Sequence, residues 1–260
     1  MPPSEWPSAV SEGQGQAQAL ALVPDRTLRL LSEGQIEIEG LIPWSSNATL
    51  LVTVHDDEFS TLGVYKPQRG ERPLWDFAYG TLGMREVAAY LVSEALCWGF
   101  VPPTVLRQGP RGLGSIQLFI HAPDEAHFFA VQEDASYRVA LQRLAAFDVV
   151  VNNADRKAGH CLIDHEGRLW AIDNALTFHE EPKLRTVIWD FAGQRLPASI
   201  LADLKELRSA LAEGSSPAVA LEQLLSEEEL AALRRRLERL IRRGRFPEPG
   251  PGRSVPWPLV

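Results

Sequence analysis

Three side chains in two neighbouring stretches have the types and spacing for phosphoryl chemistry. Phe147-Asp-Val-Val-Val-Asn-Asn-Ala-Asp-Arg-Lys-Ala-Gly-His-Cys-Leu162 carries Asp155 and His160, and the apolar run Leu169-Trp-Ala-Ile172 delivers Asp173 at its end. Transfer of a phosphoryl group needs a carboxylate to orient the incoming hydroxyl, a cation over the phosphates and oxygen ligands for a divalent metal. Asp155 follows an apolar helical segment in the polar loop Asn152-Asn-Ala-Asp-Arg156, and Asp173 closes an apolar strand. Carboxylates delivered in this way into a cleft suit a hard cation. His160 adds an imidazole, which suits transition metals better than magnesium and in ordinary surroundings takes up a proton near pH 6.5.

The cation and the phosphate cradle have candidates earlier in the chain. Lys66 ends a strand in Val64-Tyr-Lys-Pro67, and Glu86, near the start of the next helix, is placed to pair with it. Ser45, Ser46 and Asn47 form a small-residue turn whose hydroxyls and N–H groups can bind phosphate oxygens. Downstream, Lys183 and Arg185 open Lys183-Leu-Arg-Thr-Val-Ile-Trp-Asp-Phe-Ala-Gly193, a segment that can hold a phosphate or an acidic substrate. A metallohydrolase built on His160, His165 and His179 is disfavoured, because these histidines lack the helical spacing that puts two of them on one metal.

These residues need a sheet and a helical layer to position them. Residues 1–24, rich in Pro, Ser, Gly, Gln and Ala without a period, are expected to be disordered. β-branched and apolar runs at 34–42, 48–54 and 62–66 predict an antiparallel meander. Helical spacing predicts a helix over 84–98, ended by Gly99, and runs at 102–107 and 114–120 complete the sheet. From 137 the pattern is helical: 137–153, 198–213, 218–225 and 227–243, the last with Glu227-Glu-Glu229 at its start and arginines at its end. Strands with one helix followed by mostly helices describe an α+β chain in two lobes. The expected division is an N-lobe at 25–121, a C-lobe at 122–245 and a Pro/Gly-rich tail at 246–260.

Composition narrows the function. A chain of 260 residues, 45% hydrophobic and 23% charged, can bury a large core. Its formal net charge of -8 argues against a nucleic-acid partner. No segment reaches the apolar length of a membrane span, and Cys97 and Cys161 show no paired-motif spacing, so a cytoplasmic protein is expected.

Taken in order, Ser45-Ser-Asn47, Val64-Tyr-Lys-Pro67, Arg85-Glu-Val-Ala-Ala89, Phe147 to His160 and Ile172-Asp-Asn174 resemble the phosphatidylinositol 3/4-kinase-like superfamily. The bacterial branch and the type II phosphatidylinositol 4-kinases are nearest in motif, and the HipA-like kinases more distant. The resemblance covers roughly 34–196. It implies a bilobal atypical kinase fold with ATP and Mg2+ or Mn2+ between the lobes. Lys66 would contact the α-phosphate and Glu86 would support it. Gln117, Leu118, Phe119 and Ile120 would form the hinge beside adenine. Asp155 would be the catalytic aspartate and Asp173 a metal ligand, with His160 where the relatives carry asparagine. Asn174 likewise stands where a glycine is usual. The reading is an ATP-dependent phosphotransferase acting on a hydroxyl of a protein or small molecule rather than a membrane lipid. The alternative is a nucleotide-binding scaffold of kinase fold without transfer.

Overall fold

The computed structural model describes residues 24–42 and 48–260. The expected disorder of 1–24 falls, but for Pro24, outside them, and so does the turn Ser45-Ser46-Asn47. Helix α1 (Pro24–Glu33) is followed by β1 (Gln35–Leu41), β2 (Leu50–His55), β3 (Ser60–Pro67), α2 (Leu82–Ala95), β4 (Thr104–Gly109) and β5 (Gly112–Leu118). The five strands make one antiparallel sheet in the order β1-β2-β3-β5-β4. Inserting β5 beside β3 places Lys66 opposite Ser115, in the middle of the sheet and facing the second lobe. Leu50, Val52 and Val54 alternate inward along β2 and meet Leu30, Leu31, Tyr65 and Ile116 in a small core.

Two edges differ from the sequence expectation for physical reasons. The β4–β5 hairpin is tighter, pairing Gly109 with Gly112 around Pro110-Arg111. The strand continues through Gly114 because that glycine allows Tyr65 and the backbone of Lys66 to approach: a Cβ there would lie 2.5 Å from Lys66 O. Helix α2 stops at Ala95 rather than Trp98, because Cys97 turns left-handed (φ 53°) ahead of Gly99.

The second lobe contains α3 (Phe128–Val131), a single turn that the pattern did not announce, and α4 (Arg138–Val151). The hairpin of β6 (Cys161–Ile163) and β7 (Leu169–Ala171) comes next, then α5 (Ala198–Ala210), α6 (Ser216–Glu222) and α7 (Glu227–Arg243). Leu141, Leu144, Phe147, Val150 and Val151 of α4 lie in the main core with Leu204, Leu207, Leu233 and Leu237. α7 begins with a capping box, in which the Ser226 hydroxyl accepts from Glu229 N–H and Glu229 accepts from Ser226 N–H. Three glutamates at its start and Arg242 and Arg243 at its end complement the helix dipole. Arg85 ties the lobes together by reaching from α2 to Thr177 O at 2.6 Å and to the Glu229 carboxylate. Among the described residues no helix is long and apolar enough to cross a membrane.

Candidate active site between the lobes

A cleft of about 370 Å³ lies under the sheet. Ile42, Ala48 and Val64 line its roof, Leu162 and Ile172 its floor, and Gln117 to Ile120 its back edge. The back edge is where the chain leaves β5. Leu118 N–H donates to Pro103 O at 2.9 Å and Phe119 N–H to Leu62 O at 3.0 Å, whereas Ile120 N–H has no partner among the described residues. The Gln117 side chain is buried and donates to Thr104 Oγ1 at 2.9 Å, which braces the strand at the back edge of the cleft.

At the mouth of the cleft Lys66 joins three elements. Its Nζ lies 2.5 Å from Glu86 Oε1 on α2 and 2.8 Å from Asp173 Oδ1 after β7. The other Glu86 oxygen accepts Asn174 N–H at 3.0 Å, so the nearly inaccessible Glu86 carboxylate has a partner at each end. Burial works against the Lys66 charge, but Asp173 and Glu86 overcome it and its pKa is raised. In return the ammonium holds the Asp173 carboxyl well below the usual carboxylate range, against burial that would raise it.

His160 Nε2 sits 3.3 Å from the other Asp173 oxygen. Burial pushes its imidazole down to about 4, against the pull of Asp173, so it is neutral at physiological pH rather than half-titrated near 6.5. Its Nδ1 is buried without a hydrogen-bond partner. Among the described residues no group of three His, Cys, Asp or Glu side chains could hold a metal by itself. Asp173 and His160 nevertheless converge on the cleft as one oxygen and one nitrogen donor. Such a partial set fits a divalent cation whose remaining positions are taken by phosphate and water, more readily Mn2+ than Mg2+.

Asp155 lies to one side, and the residue that reaches the cleft wall from its loop is Lys157, with Nζ 3.4 Å from Asp155 Oδ2. Asp155 N–H donates to Asn153 Oδ1 at 2.9 Å, which fixes the loop. Burial raises the Asp155 carboxyl, with Lys157 and Arg185 pulling down and Asp173 adding to the rise. Of the two cations expected to meet an acceptor, Lys183 is nearly inaccessible and held 3.0 Å from Asp76 Oδ2. Arg185 is pinned by its backbone, N–H to Asn153 O at 2.8 Å and O from Arg156 N–H at 3.0 Å, while its guanidinium has no hydrogen bond or ion pair among the described residues.

Sequence reasoning missed what holds these loops. Arg156 is fully buried and donates to Asp148, to Ile172 O at 2.8 Å and to Asn174 Oδ1 at 2.6 Å, joining α4, the Asp155 loop and the Asp173 loop. The residue after Asp173 need not be glycine, because the left-handed conformation falls on Asp173 itself (φ 53°) and not on Asn174. An arginine in a polar loop, eight residues after an aspartate in an apolar helix, was the available signal.

No protein-family model matches the chain. Protein Rv2133c of Mycobacterium tuberculosis is 38% identical over 268 residues, 88% of this chain and 94% of that protein, and the chain belongs to its family. Among solved structures, the Golgi casein kinase with Mn/ADP bound is similar over 84% of this chain and 74% of its own, with a TM-score of 0.55 and 14% identity. The Helicobacter pylori proinflammatory kinase CtkA is similar over 83% and 94%, with a TM-score of 0.50 and 11% identity. The fold is kinase-like: an antiparallel-sheet N-lobe over a helical C-lobe.

Proposed function

We propose that this member of the Rv2133c family is an ATP-dependent phosphotransferase of the phosphatidylinositol 3/4-kinase-like type, acting on a hydroxyl of a protein or small molecule. The observation that carries the reading is Lys66 bridging Glu86 and Asp173 across the cleft, which supports a fixed cation beside a carboxylate that would ligate the metal at the phosphates. Adenine would lie between Val64 and Leu162 with its edge toward the unpaired Ile120 N–H. Lys66 would neutralise phosphate charge and Lys157 would face the transferring group. Asp155, its carboxyl raised by burial, would accept the proton of the incoming hydroxyl. Asp173 and His160 would hold a divalent cation, which supplies charge neutralisation at the phosphates when bound.

The test is single-turnover release of phosphate from γ-labelled ATP with Mg2+ and with Mn2+. Metal-dependent release is expected from the native chain, with loss in Asp173→Ala and in Lys66→Met and partial retention in Lys66→Arg. A second reading, a nucleotide-binding scaffold, is favoured by the orphaned Nδ1 of His160, because a metal-bound histidine ordinarily donates its other N–H to an acceptor. ATP binding without release under either metal would establish the scaffold and remove the transferase.

A further inference from the structure

Residues 246–260 contain no helix or strand, yet they are fastened along their length. Phe246 is buried against Phe191, its N–H donating to Gln194 O at 3.0 Å. Farther on, Ser254 O accepts Thr186 N–H at 3.1 Å and the Trp189 indole N–H at 3.0 Å, Pro256 is buried, and Leu259 O accepts Ala158 N–H at 2.7 Å. These contacts are not on arbitrary surface. Ala158 is fully buried and starts the single 3₁₀ turn that ends in His160, directly after Lys157. Thr186 is buried, forms a parallel bridge with Arg156, and its hydroxyl donates to Asp148 at 3.3 Å. The last eight residues therefore hold both loops that flank Asp155.

Taking the tail away would remove the acceptor of Ala158 N–H and open it to water, in the turn that presents Lys157 and His160. The Lys66 cluster itself does not touch the tail: among the described residues Lys66, Glu86 and the 117–120 edge bond to the sheet, the segment that leads into β4, α2 and the Asp173 loop. The attachment is also light. Of residues 253–260 only Pro256 is buried, while Val255, Trp257, Leu259 and Val260 expose their side chains.

We propose that residues 253–260 are a detachable clamp on the catalytic loop. Docked, the clamp fixes the turn carrying Lys157 and His160 and the segment carrying Arg185; undocked, it leaves a cleft that binds nucleotide but transfers poorly. The effect on transfer rests on the phosphotransferase reading, whereas the hold on the loop does not.

The experiment compares the full chain, a chain ending at Gly252, the full-length variant Pro256→Asp, and the shortened chain with a synthetic peptide of residues 250–260. Amide hydrogen exchange at Ala158 and Thr186 is expected to quicken by about tenfold or more in the shortened chain and in Pro256→Asp, and to slow again with the peptide. ATP affinity should stay within about threefold, while γ-phosphate release falls by about tenfold or more and recovers with the peptide. Unchanged exchange at Ala158 overturns the clamp, and so does quickened exchange with undiminished release from a full chain that is active. If the full chain releases no phosphate, the transferase reading fails and the exchange rates alone decide the clamp. If the shortened chain does not fold, Pro256→Asp decides in the same way.

Discussion

The two sides of the cleft are built differently. On the nucleotide side the charges around Lys66 are matched: Lys66 by Glu86 and Asp173, with Glu86 also accepting Asn174 N–H and α2 itself tied to the C-lobe through Arg85. On the proposed acceptor side Lys157 has Asp155 at 3.4 Å, and among the described residues the Arg185 guanidinium has no hydrogen bond or salt bridge and acts on Asp155 through its charge alone. The difference teaches that a closed set of ion pairs can fix a phosphate site before any ligand arrives, whereas the acceptor side keeps charge in reserve and takes its rigidity from the backbone. Breaking either side should therefore give a different kind of failure.

The largest effect on rate is expected from Asp155→Ala, which removes a base without touching the Lys66 cluster. Turnover should fall by about 10²–10⁴-fold with ATP affinity retained. The base must be ionised to accept a proton, and burial raises its carboxyl, so activity of the native chain should fall with decreasing pH at a midpoint above about 3.9, the ordinary aspartate value. A pH–rate profile of single-turnover release checks both. Equal loss of binding and rate would mean that the two sides are not separable.

Next in size is Arg156→Met, which attacks the frame common to both sides. It strands the fully buried Asp148 carboxyl, already raised by burial, without its guanidinium, a change worth about 3–5 kcal/mol. Denaturant unfolding measures it. Loss of under about 1 kcal/mol would show that the Thr186 hydroxyl suffices for Asp148.

What was legible in the sequence follows the same division. Asp155, His160 and Asp173 stood out because polar residues at the ends of apolar runs have little else to do, and Lys66 and Glu86 because strand end and helix start are local features. The structure brings Lys66, Glu86, His160 and Asp173 together. Partners distant along the chain were not legible: Lys183 finds Asp76 only across the two lobes, and Arg156 finds Asn174 only once the Asp155 and Asp173 loops lie side by side. Asn174 looked like a departure for a similar reason, since its use as an acceptor for Arg156 and as an N–H donor to Glu86 depends on residues 18 positions before it and 88 away. The tail was legible as irregular, but composition carries no sign of where an irregular chain docks.

A smaller effect separates metal choice from catalysis. His160→Asn replaces a nitrogen donor beside Asp173 with an amide, so the preference for Mn2+ over Mg2+ should shift toward Mg2+ while Asp155 chemistry persists. Because burial holds the native imidazole at about 4, that preference should be flat between about pH 5.5 and 8, where an unburied histidine would titrate. Release rates with each metal across that range check it, and a preference that changes near pH 6.5 would place His160 in a wetter setting than the structure gives it.

The smallest effect is the one that best sharpens the acceptor side, because it pits two neighbouring cations against each other. Lys183 looked equivalent to Arg185 in sequence, but its ammonium lies 3.0 Å from Asp76, over the Trp75 ring at 4.9 Å, in a spot that solvent barely reaches. Its N–H is also taken by Asn152 Oδ1 at 2.9 Å. A charge already matched by a carboxylate has little left to offer an anionic acceptor, so Lys183→Met should cost stability, by about 1–3 kcal/mol for the stranded Asp76, and leave transfer nearly unchanged. Arg185→Met should do the reverse: among the described residues its guanidinium makes no hydrogen bond or salt bridge and only a longer-range pull on Asp155, so folding should tolerate the loss, while KM for an anionic acceptor rises and KM for ATP stays put. Thermal unfolding and acceptor titration on the two variants measure the contrast. An acceptor KM that responds to Lys183 and not to Arg185 would mean that the Asp76 pair opens in the working enzyme, and that the reserve of positive charge lies two residues earlier than the structure puts it.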